Sequence, residues 1–438
     1  MNREAMQHWI ASAGQPLTGS VRVPGDKSVS HRAVMLGAIA EGTTRIRGFL
    51  EGEDTRATAR VFAQLGVRID APSAGERVVH GVGLHGLRGS GAPLDCGNAG
   101  TGMRLLTGLL AAQPFDSTLI GDESLSKRPM RRVTEPLAAM GALIDSEPGG
   151  LPPLRIHGGA DLRGVETTTA VASAQVKSAL LLAGLYADGE TIVREPHPTR
   201  DYTERMLAAF GWPIEFAPGV ARLRGRDRLT AVDVDVPADF SSAAFFIVAA
   251  TLVPGSELRI EAVGMNPRRT GLLEALRLMG ADIREENRQE QGGEPVADLV
   301  VRHAPLHGIE VPVELVPDMI DEFPILFVAA VCAKGPTVVR GAAELRVKES
   351  DRIATMATGL RALGIEVQET PDGAVIEGGR LRGGSVESHG DHRIAMSFAV
   401  AAQRTDGEVR INDVANVATS FPGFVELAVG AGMSLAPA

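Results

Sequence analysis

A short phrase recurs along this chain: a Leu- or Met-rich helical turn, a glycine, then a few residues of strand character. It reads VFAQLGVRI (Val61 to Ile69), PLAAMGALI (Pro136 to Ile144) and MLAAFGWPI (Met206 to Ile214). It returns as ALRLMGADI (Ala275 to Ile283), GLRALGIEV (Gly359 to Val367) and, more loosely, ELAVGAGMSL (Glu426 to Leu435). Each copy predicts a helix closed by glycine in the left-handed conformation and followed by a strand. Repetition at a fixed period constrains a fold more than local propensity does, because every copy must be the same supersecondary unit.

About forty residues before each phrase lies a polar cluster that opens an apolar stretch. The clusters are DKSVSHR (Asp26 to Arg32), GNAGTGMR (Gly97 to Arg104), SAQVKS (Ser173 to Ser178), DFSS (Asp239 to Ser242), DMIDEF (Asp318 to Phe323) and GDHR (Gly390 to Arg393). Strand-like segments such as EGTTRI, DGETIV and DGEVRI separate cluster from phrase. The unit therefore reads strand, polar turn, apolar helix, strand, polar loop, amphipathic helix, strand. Six such units predict an α/β architecture built by repetition.

The apolar stretches AVMLGAIA, RLLTGLLAA, ALLLAGLYA, AAFFIVAATLV, PILFVAAVCA and IAMSFAVAA have no polar face, which predicts buried helices. Each polar cluster falls at such a helix's N-terminus, where unsatisfied N–H groups and the dipole favour anions. Six N-termini pointing at a common cleft would make a positive site, each worth about 0.3–2 kcal/mol toward an anion. Ser, Asn and Asp there are also ordinary caps. Capping does not account for Lys27, Arg32, Arg104, Lys177 and Arg393 at positive helix ends. A cation there needs an anion, and a bound phosphate or carboxylate would supply one.

VRVPGDKS (Val21 to Ser28) and VDVPADFS (Val234 to Ser241) repeat a strand, Val-Pro and a cluster. The expected division runs there: one lobe at 26–238 holding three units, the other formed by 1–25 plus 239–438. The two Pro-containing crossings suggest a hinge between similar lobes with the cleft between them.

Composition narrows the function. A net charge of −10 argues against a general nucleic-acid binder. The longest apolar run, Ala243 to Val253, is shorter than the roughly 18 residues that span a bilayer, so no membrane partner is expected. Met1 to Ser20, with Arg3 its one basic residue, reads as neither a secretory nor a transit signal, and a cytoplasmic location is expected. Two cysteines, Cys96 and Cys332, form neither a disulfide framework nor a Cys-rich zinc site. The chain has 39 arginines and only five lysines (Lys27, Lys127, Lys177, Lys334 and Lys348), so some of those sites are expected to need a compact, movable ammonium.

In order and spacing, PGDKSVSHRA, GNAGTGMR, SKRP (Ser126 to Pro129), SAQ (Ser173 to Gln175), RVKESDR (Arg346 to Arg352) and GDHR resemble the motifs of the 5-enolpyruvylshikimate-3-phosphate synthases. The resemblance covers nearly the whole chain. It implies two lobes of three βαβαββ units each, with buried parallel helices whose N-termini face the interdomain cleft. The implied reaction transfers the enolpyruvyl group of phosphoenolpyruvate to the 5-hydroxyl of shikimate 3-phosphate through a tetrahedral ketal, releasing phosphate. It needs no cofactor or metal, and a monomer is expected. Both substrates are anions, which suits a site rich in Arg and Lys.

Carried over residue by residue, the resemblance assigns Lys27, Ser28, Arg32, Ser173, Gln175, Arg200, Asp321 and Lys348 to shikimate 3-phosphate. It assigns Lys27, Gly100, Arg128, Gln175, Arg352 and Arg393 to phosphoenolpyruvate. Asp321 is the implied base, Glu349 the implied acid toward carbon, and Lys27 the third catalytic residue. Alone, Asp321-Glu322 would read as a helix cap, and Lys348 to Arg352 as a solvated helical face. Ala418, Thr419 and Ser420 stand where many relatives have a Lys that reaches phosphoenolpyruvate, and Leu105 and Gly102 replace a common Pro and Ala. Two other readings share these features. A UDP-N-acetylglucosamine enolpyruvyl transferase usually carries a Cys where GDESLSKRP has none, and a non-catalytic phosphometabolite-binding scaffold would need neither Asp321 nor Glu349.

Overall fold

The structure, a computed structural model, describes residues 8–291 and 293–438. The stretch read for a leader therefore lies, through residue 7 and including Arg3, outside the described residues. Two compact units form: Gly25–Pro237 with Glu290–Glu294, and Met1–Pro24 with Ala238–Gln289 and Pro295–Ala438.

Each repeat contributes a buried helix and then an amphipathic one. The pairs in the first unit are α1 (Lys27–Ile39) and α2 (Glu53–Gln64), α3 (Gly100–Leu110) and α4 (Arg131–Ala139), and α5 (Ala174–Gly184) and α6 (Tyr202–Ala209). The second unit has α7 (Phe240–Leu252) and α8 (Gly271–Leu278), then α9 (Phe323–Val331) and α10 (Arg352–Ala362). It ends with α11 (His392–Ala402), the short α12 (Val417–Ser420) and α13 (Phe424–Gly430). The six helices expected to be buried are buried; every residue of α7 and α9 is. Each Leu or Phe so enclosed contributes about 1.5–3 kcal/mol over leaving it exposed, which is why these stretches tolerate no polar stripe. The six phrase glycines, Gly66, Gly141, Gly211, Gly280, Gly364 and Gly432, have φ between 82° and 115°. Only glycine takes that conformation without a steric cost.

Among the described residues six small sheets form, one per repeat. The first shows the plan. Glu41–Arg47, after α1, pairs antiparallel with Glu76–Val82, which also pairs with Arg68–Asp70, the strand after α2. In the sixth sheet the central strand comes from far away. His8–Ser12 lies antiparallel between Val409–Asn412 and Ser434–Pro437, so the start of the chain completes the last repeat. Trp9 stacks on Phe424 at 5.5 Å between ring centroids, and Phe245, Phe246 and Phe421 also contact Phe424.

The Val-Pro strands behave alike. Thr18–Val21 runs parallel to Glu257–Gly264, and Val234–Asp235 runs parallel to Glu41–Arg47. Each therefore closes a sheet of one unit and then leads into a buried helix of the other. Beyond them, Asp26 N–H donates to Pro237 O and Asp239 N–H to Pro24 O, both at 2.8 Å. Among the described residues no helix is long and apolar enough to cross a membrane.

Candidate active site

Asp26, Ser173, Asp239 and Asp391 cap α1, α5, α7 and α11 with their side chains, whereas α3 and α9 have no side-chain cap. The polar residues around these ends form one cluster in each unit.

In the first unit, Lys27 opens α1 and its Nζ lies 3.0 Å from Asp54 Oδ2. Arg32 is buried one turn further on. Its Nε donates to Thr203 Oγ1 (2.7 Å), Nη1 to the Ser28 carbonyl (3.0 Å) and Nη2 to Ser178 Oγ (2.8 Å), and Tyr202 packs on its guanidinium. Among the described residues no carboxylate lies within ion-pair distance of Arg32. Burial pulls its pKa below the usual arginine value, against the pull of Glu204 and Asp26, and Arg200 adds to the lowering. A buried cation held only by hydroxyls and a carbonyl is a receptor for an anion.

α3 and α5 meet through side chains. Arg104 Nη1 donates to Gln175 Oε1 (2.7 Å), and Gln175 Nε2 donates to Thr101 Oγ1 (2.8 Å). Gly100 is the first residue of α3, and Arg128 reaches it from the following loop, bonded to Asn98 Oδ1 (2.9 Å) and Ser124 Oγ (3.1 Å). A methyl on Gly100 would lie 3.2 Å from Arg128 Nη1 and 3.3 Å from Arg104 Nη1. Gly102 is explained by packing: a Cβ there would stand 2.8 Å from Thr58 Oγ1, which bonds His31 Nδ1 at 2.8 Å. Burial, with Lys27 and Arg32 nearby, pushes the His31 pKa down to about 3, so this imidazole is neutral.

Lys177 corrects an expectation. The sequence marks it as a helix-end cation awaiting a bound anion, but its Nζ is enclosed 2.7 Å from Glu195 Oε2 and 2.8 Å from Glu204 Oε1. The chain supplies the compensating charge itself. Lys127 is exposed on Glu123.

The second unit gathers its cluster around Arg352, the buried first residue of α10. Arg352 Nε donates to Asp391 Oδ2 (2.8 Å), Nη2 to Glu349 Oε2 (2.7 Å), and Nη1 lies 3.4 Å from Asp321 Oδ1. Burial opposes its charge, yet Asp391, Glu349 and Asp321 together hold its pKa above the usual value. Lys348 Nζ contacts Glu344 Oε1 at 2.8 Å. Because Lys348 ends the short 3-10 turn Ala343–Val347 and α10 begins only at Arg352, Lys348 to Arg352 is not one helical face. Arg393, in the first turn of α11, approaches Glu322 Oε1 at 3.8 Å.

Arg269 was missed from the sequence. Buried in the NPRRTG segment before α8, it bonds Ser241 and reaches Asp321 Oδ2 (3.3 Å), Asp239 Oδ1 (3.5 Å) and Glu322 Oε1 (3.6 Å). A lone Arg in a loop carries no local signal of that role. Asp391, 39 residues from the Arg352 it neutralises, was likewise invisible to spacing arguments. Cys96 is a buried core thiol and Cys332, at the C-terminal end of α9, is partly buried; burial pushes them up to about 12 and about 11.

A sequence profile of the EPSP synthase family (3-phosphoshikimate 1-carboxyvinyltransferase) matches residues 11–427. A 3-phosphoshikimate 1-carboxyvinyltransferase of Xanthomonas campestris pv. campestris (strain B100) is 71% identical over 429 residues, covering 98% of each chain. The chain belongs to the EPSP synthase family. A relative of the same description from Xanthomonas oryzae pv. oryzae (strain PXO99A) is 71% identical over 428 residues, covering 98% of this chain and 97% of that one. An EPSP synthase from Acinetobacter baumannii matches in structure with a TM-score of 0.90 at 52% identity, covering 99% of this chain and all of the other. The enolpyruvyl transferase NikO from Streptomyces tendae matches at a TM-score of 0.78 and 20% identity over 99% of each chain, which shows the fold alone. This fold is thus wider than the EPSP synthases, while the identity to the Xanthomonas relatives is specific to them. The α/β repeat expected from the sequence is the EPSP synthase fold, and this family member is an enzyme, a transferase.

Proposed function

We propose that this chain transfers the enolpyruvyl group of phosphoenolpyruvate to the 5-hydroxyl of shikimate 3-phosphate, in the pathway to chorismate and the aromatic amino acids. The observation that carries this reading is the meeting of two carboxylates, Asp321 and Glu349, on the one buried guanidinium of Arg352. In the first unit, the shikimate phosphate is held by Arg32 and Arg200 with Ser28, Ser173 and Gln175. Lys27, Gly100, Arg128, Gln175, Arg352 and Arg393 are assigned to phosphoenolpyruvate. Asp321 and Lys348 hold the acceptor around its 5-hydroxyl.

The chemistry follows from those positions. Asp321, placed between Arg269 and Arg352, takes the hydroxyl proton as the oxygen bonds to C2 of phosphoenolpyruvate. The methylene carbon takes a proton from Glu349, giving a tetrahedral ketal. Loss of a methyl proton and cleavage of the C2–O bond to phosphate then give the enolpyruvyl ether and inorganic phosphate. Glu349 begins paired with Arg352 Nη2. An arriving phosphate or carboxylate competes for that guanidinium and frees Glu349 to carry the proton.

A cytoplasmic monomer goes with this reading; among the described residues no helix is long and apolar enough to cross a membrane. The test is phosphate release from phosphoenolpyruvate with either acceptor. Turnover with shikimate 3-phosphate and none with UDP-N-acetylglucosamine is expected; binding of both substrates without phosphate release would mark a scaffold. A second expectation concerns Gly100. In Gly100→Ala the methyl presses on Arg128 and Arg104, so the KM for phosphoenolpyruvate rises, and the inhibition constant for glyphosate, the family's phosphoenolpyruvate-competitive inhibitor, rises more. Equal rises, read from steady-state inhibition, would contradict the assignment of Gly100 to inhibitor space.

A further inference from the structure

Lys177 and its two glutamates stand behind the first-unit cluster without belonging to it. Glu195 Oε2 accepts from Lys177 Nζ (2.7 Å) and from Thr199 N–H (3.2 Å), while Oε1 accepts from Thr199 Oγ1. Lys177 Nζ also donates to the Thr199 carbonyl (3.4 Å). These bonds tie down the segment that ends immediately before Arg200. On the other side, Lys177 and Glu204 are the chain neighbours of Ser178 and Thr203, the two hydroxyls that hold Arg32. Thr203 Oγ1 in turn donates to Ser178 Oγ (2.7 Å), so α5 and α6 are joined by one ion pair and one hydroxyl pair, side by side.

We propose that Lys177, Glu195 and Glu204 form a buried clamp that positions Arg32 and Arg200 for the phosphate of the acceptor. The clamp does not touch substrate; its residues are positioning residues. It rests on the assignment of Arg32 and Arg200 to that phosphate. Stability alone does not account for it, because three charges taken out of water gain little over an apolar replacement of similar volume. What the clamp supplies is register between α5, α6 and the loop before Arg200. Burial raises the Glu204 pKa against the pull of Lys177; ionised, Glu204 acts on Arg32 without occupying any of its donors. Arg32 thus keeps its charge while its guanidinium is left to hydroxyls that an anion can displace or join.

The test compares Glu195→Gln, Glu195→Ala and the triple variant Lys177→Met, Glu195→Gln, Glu204→Gln. The triple removes all three charges together and keeps the volume, so it serves where a single deletion strands a buried charge and fails to fold. In Glu195→Ala and the triple variant, the KM for shikimate 3-phosphate is expected to rise about tenfold, the loss of roughly one charge-assisted hydrogen bond. The KM for phosphoenolpyruvate should move far less, and Glu195→Gln should keep part of the wild-type affinity by retaining the Thr199 bonds. A merely structural role would instead lower kcat in step with the folded fraction and leave both KM values alone; that result overturns the clamp. Arg32→Met and Arg200→Met are measured alongside. If they leave the KM for shikimate 3-phosphate unchanged, the phosphate-site reading fails and the clamp with it. If they raise it and the clamp variants do not, the clamp alone is wrong.

Discussion

Asp321→Asn is expected to lower kcat by about 10²–10⁴-fold, the usual contribution of a positioned general base. The side chain keeps its shape, but Arg269 meets Oδ2 and Arg352 meets Oδ1, so only one of them keeps an oxygen to bond and some loss of stability is expected beside the loss of kcat. What disappears is the charge that receives the hydroxyl proton. Initial rates at saturating concentrations of both substrates, with KM values beside them, separate the outcomes. A variant that loses affinity but keeps kcat would make Asp321 a ligand and not a base.

The second large effect falls on stability. Arg352→Met removes a guanidinium shared by Asp391, Glu349 and Asp321, of which Asp391 is fully enclosed. Breaking a buried pair by deleting one partner costs about 3–5 kcal/mol, because the other charge stays behind. Asp391 also caps α11 and accepts from Ser350 Oγ (3.0 Å), so its carboxylate cannot swing to water without loosening the helix end.

The pH dependence has a definite sign. Burial raises the Asp391 pKa, but Arg352 outweighs it and the native value lies below the ordinary 3.8. In the unmodified chain this contribution to stability is present above about pH 4 and is lost only as pH falls through the depressed native value. Without Arg352 the main lowering influence is gone, and burial with Glu349 is expected to outweigh His392 and the bonds from Ser350 and the α11 N-terminus, so the native pKa moves above the unfolded one and the variant gains stability as pH falls. Urea unfolding at pH 7.5 and 5.5 should therefore show the gap between variant and wild type narrowing at the lower pH. A gap that is constant or wider would mean that Asp391 is not the charge left stranded.

Much of the fold was legible because the repeat writes itself in local chemistry. The six closing glycines and the six helices without a polar face are each visible within a dozen residues, and each has the conformation or burial that its pattern demands. The sixth sheet was only half legible. ELAVGAGMSL marks its helix and following strand, but the register that places His8–Ser12 between strands some four hundred residues away is a matter of tertiary pairing.

The charged residues show the same limit. Their presence at the helix ends was plain; which anion answers each cation was not. Arg32, Lys177 and Arg352 look alike in sequence, each a cation near the start of a helix. In the structure Arg32 has no carboxylate partner among the described residues, Lys177 has two and Arg352 three. The partners lie 18 to 39 residues away for Glu195 and Asp391, distances over which no periodicity operates. Arg269 marks the opposite failure: a residue outside every motif that joins Asp239, Asp321 and Glu322.

The central claim is that this chain does chemistry on two anions and does not merely bind them. Phosphorus-31 NMR of the chain mixed with phosphoenolpyruvate and shikimate 3-phosphate tests it most directly. The account predicts that the phosphoenolpyruvate resonance gives way to inorganic phosphate, mole for mole with conversion of the shikimate phosphate signal to a new monoester, and only when both substrates are present. Resonances that shift or broaden on binding while their integrals stay constant would contradict it.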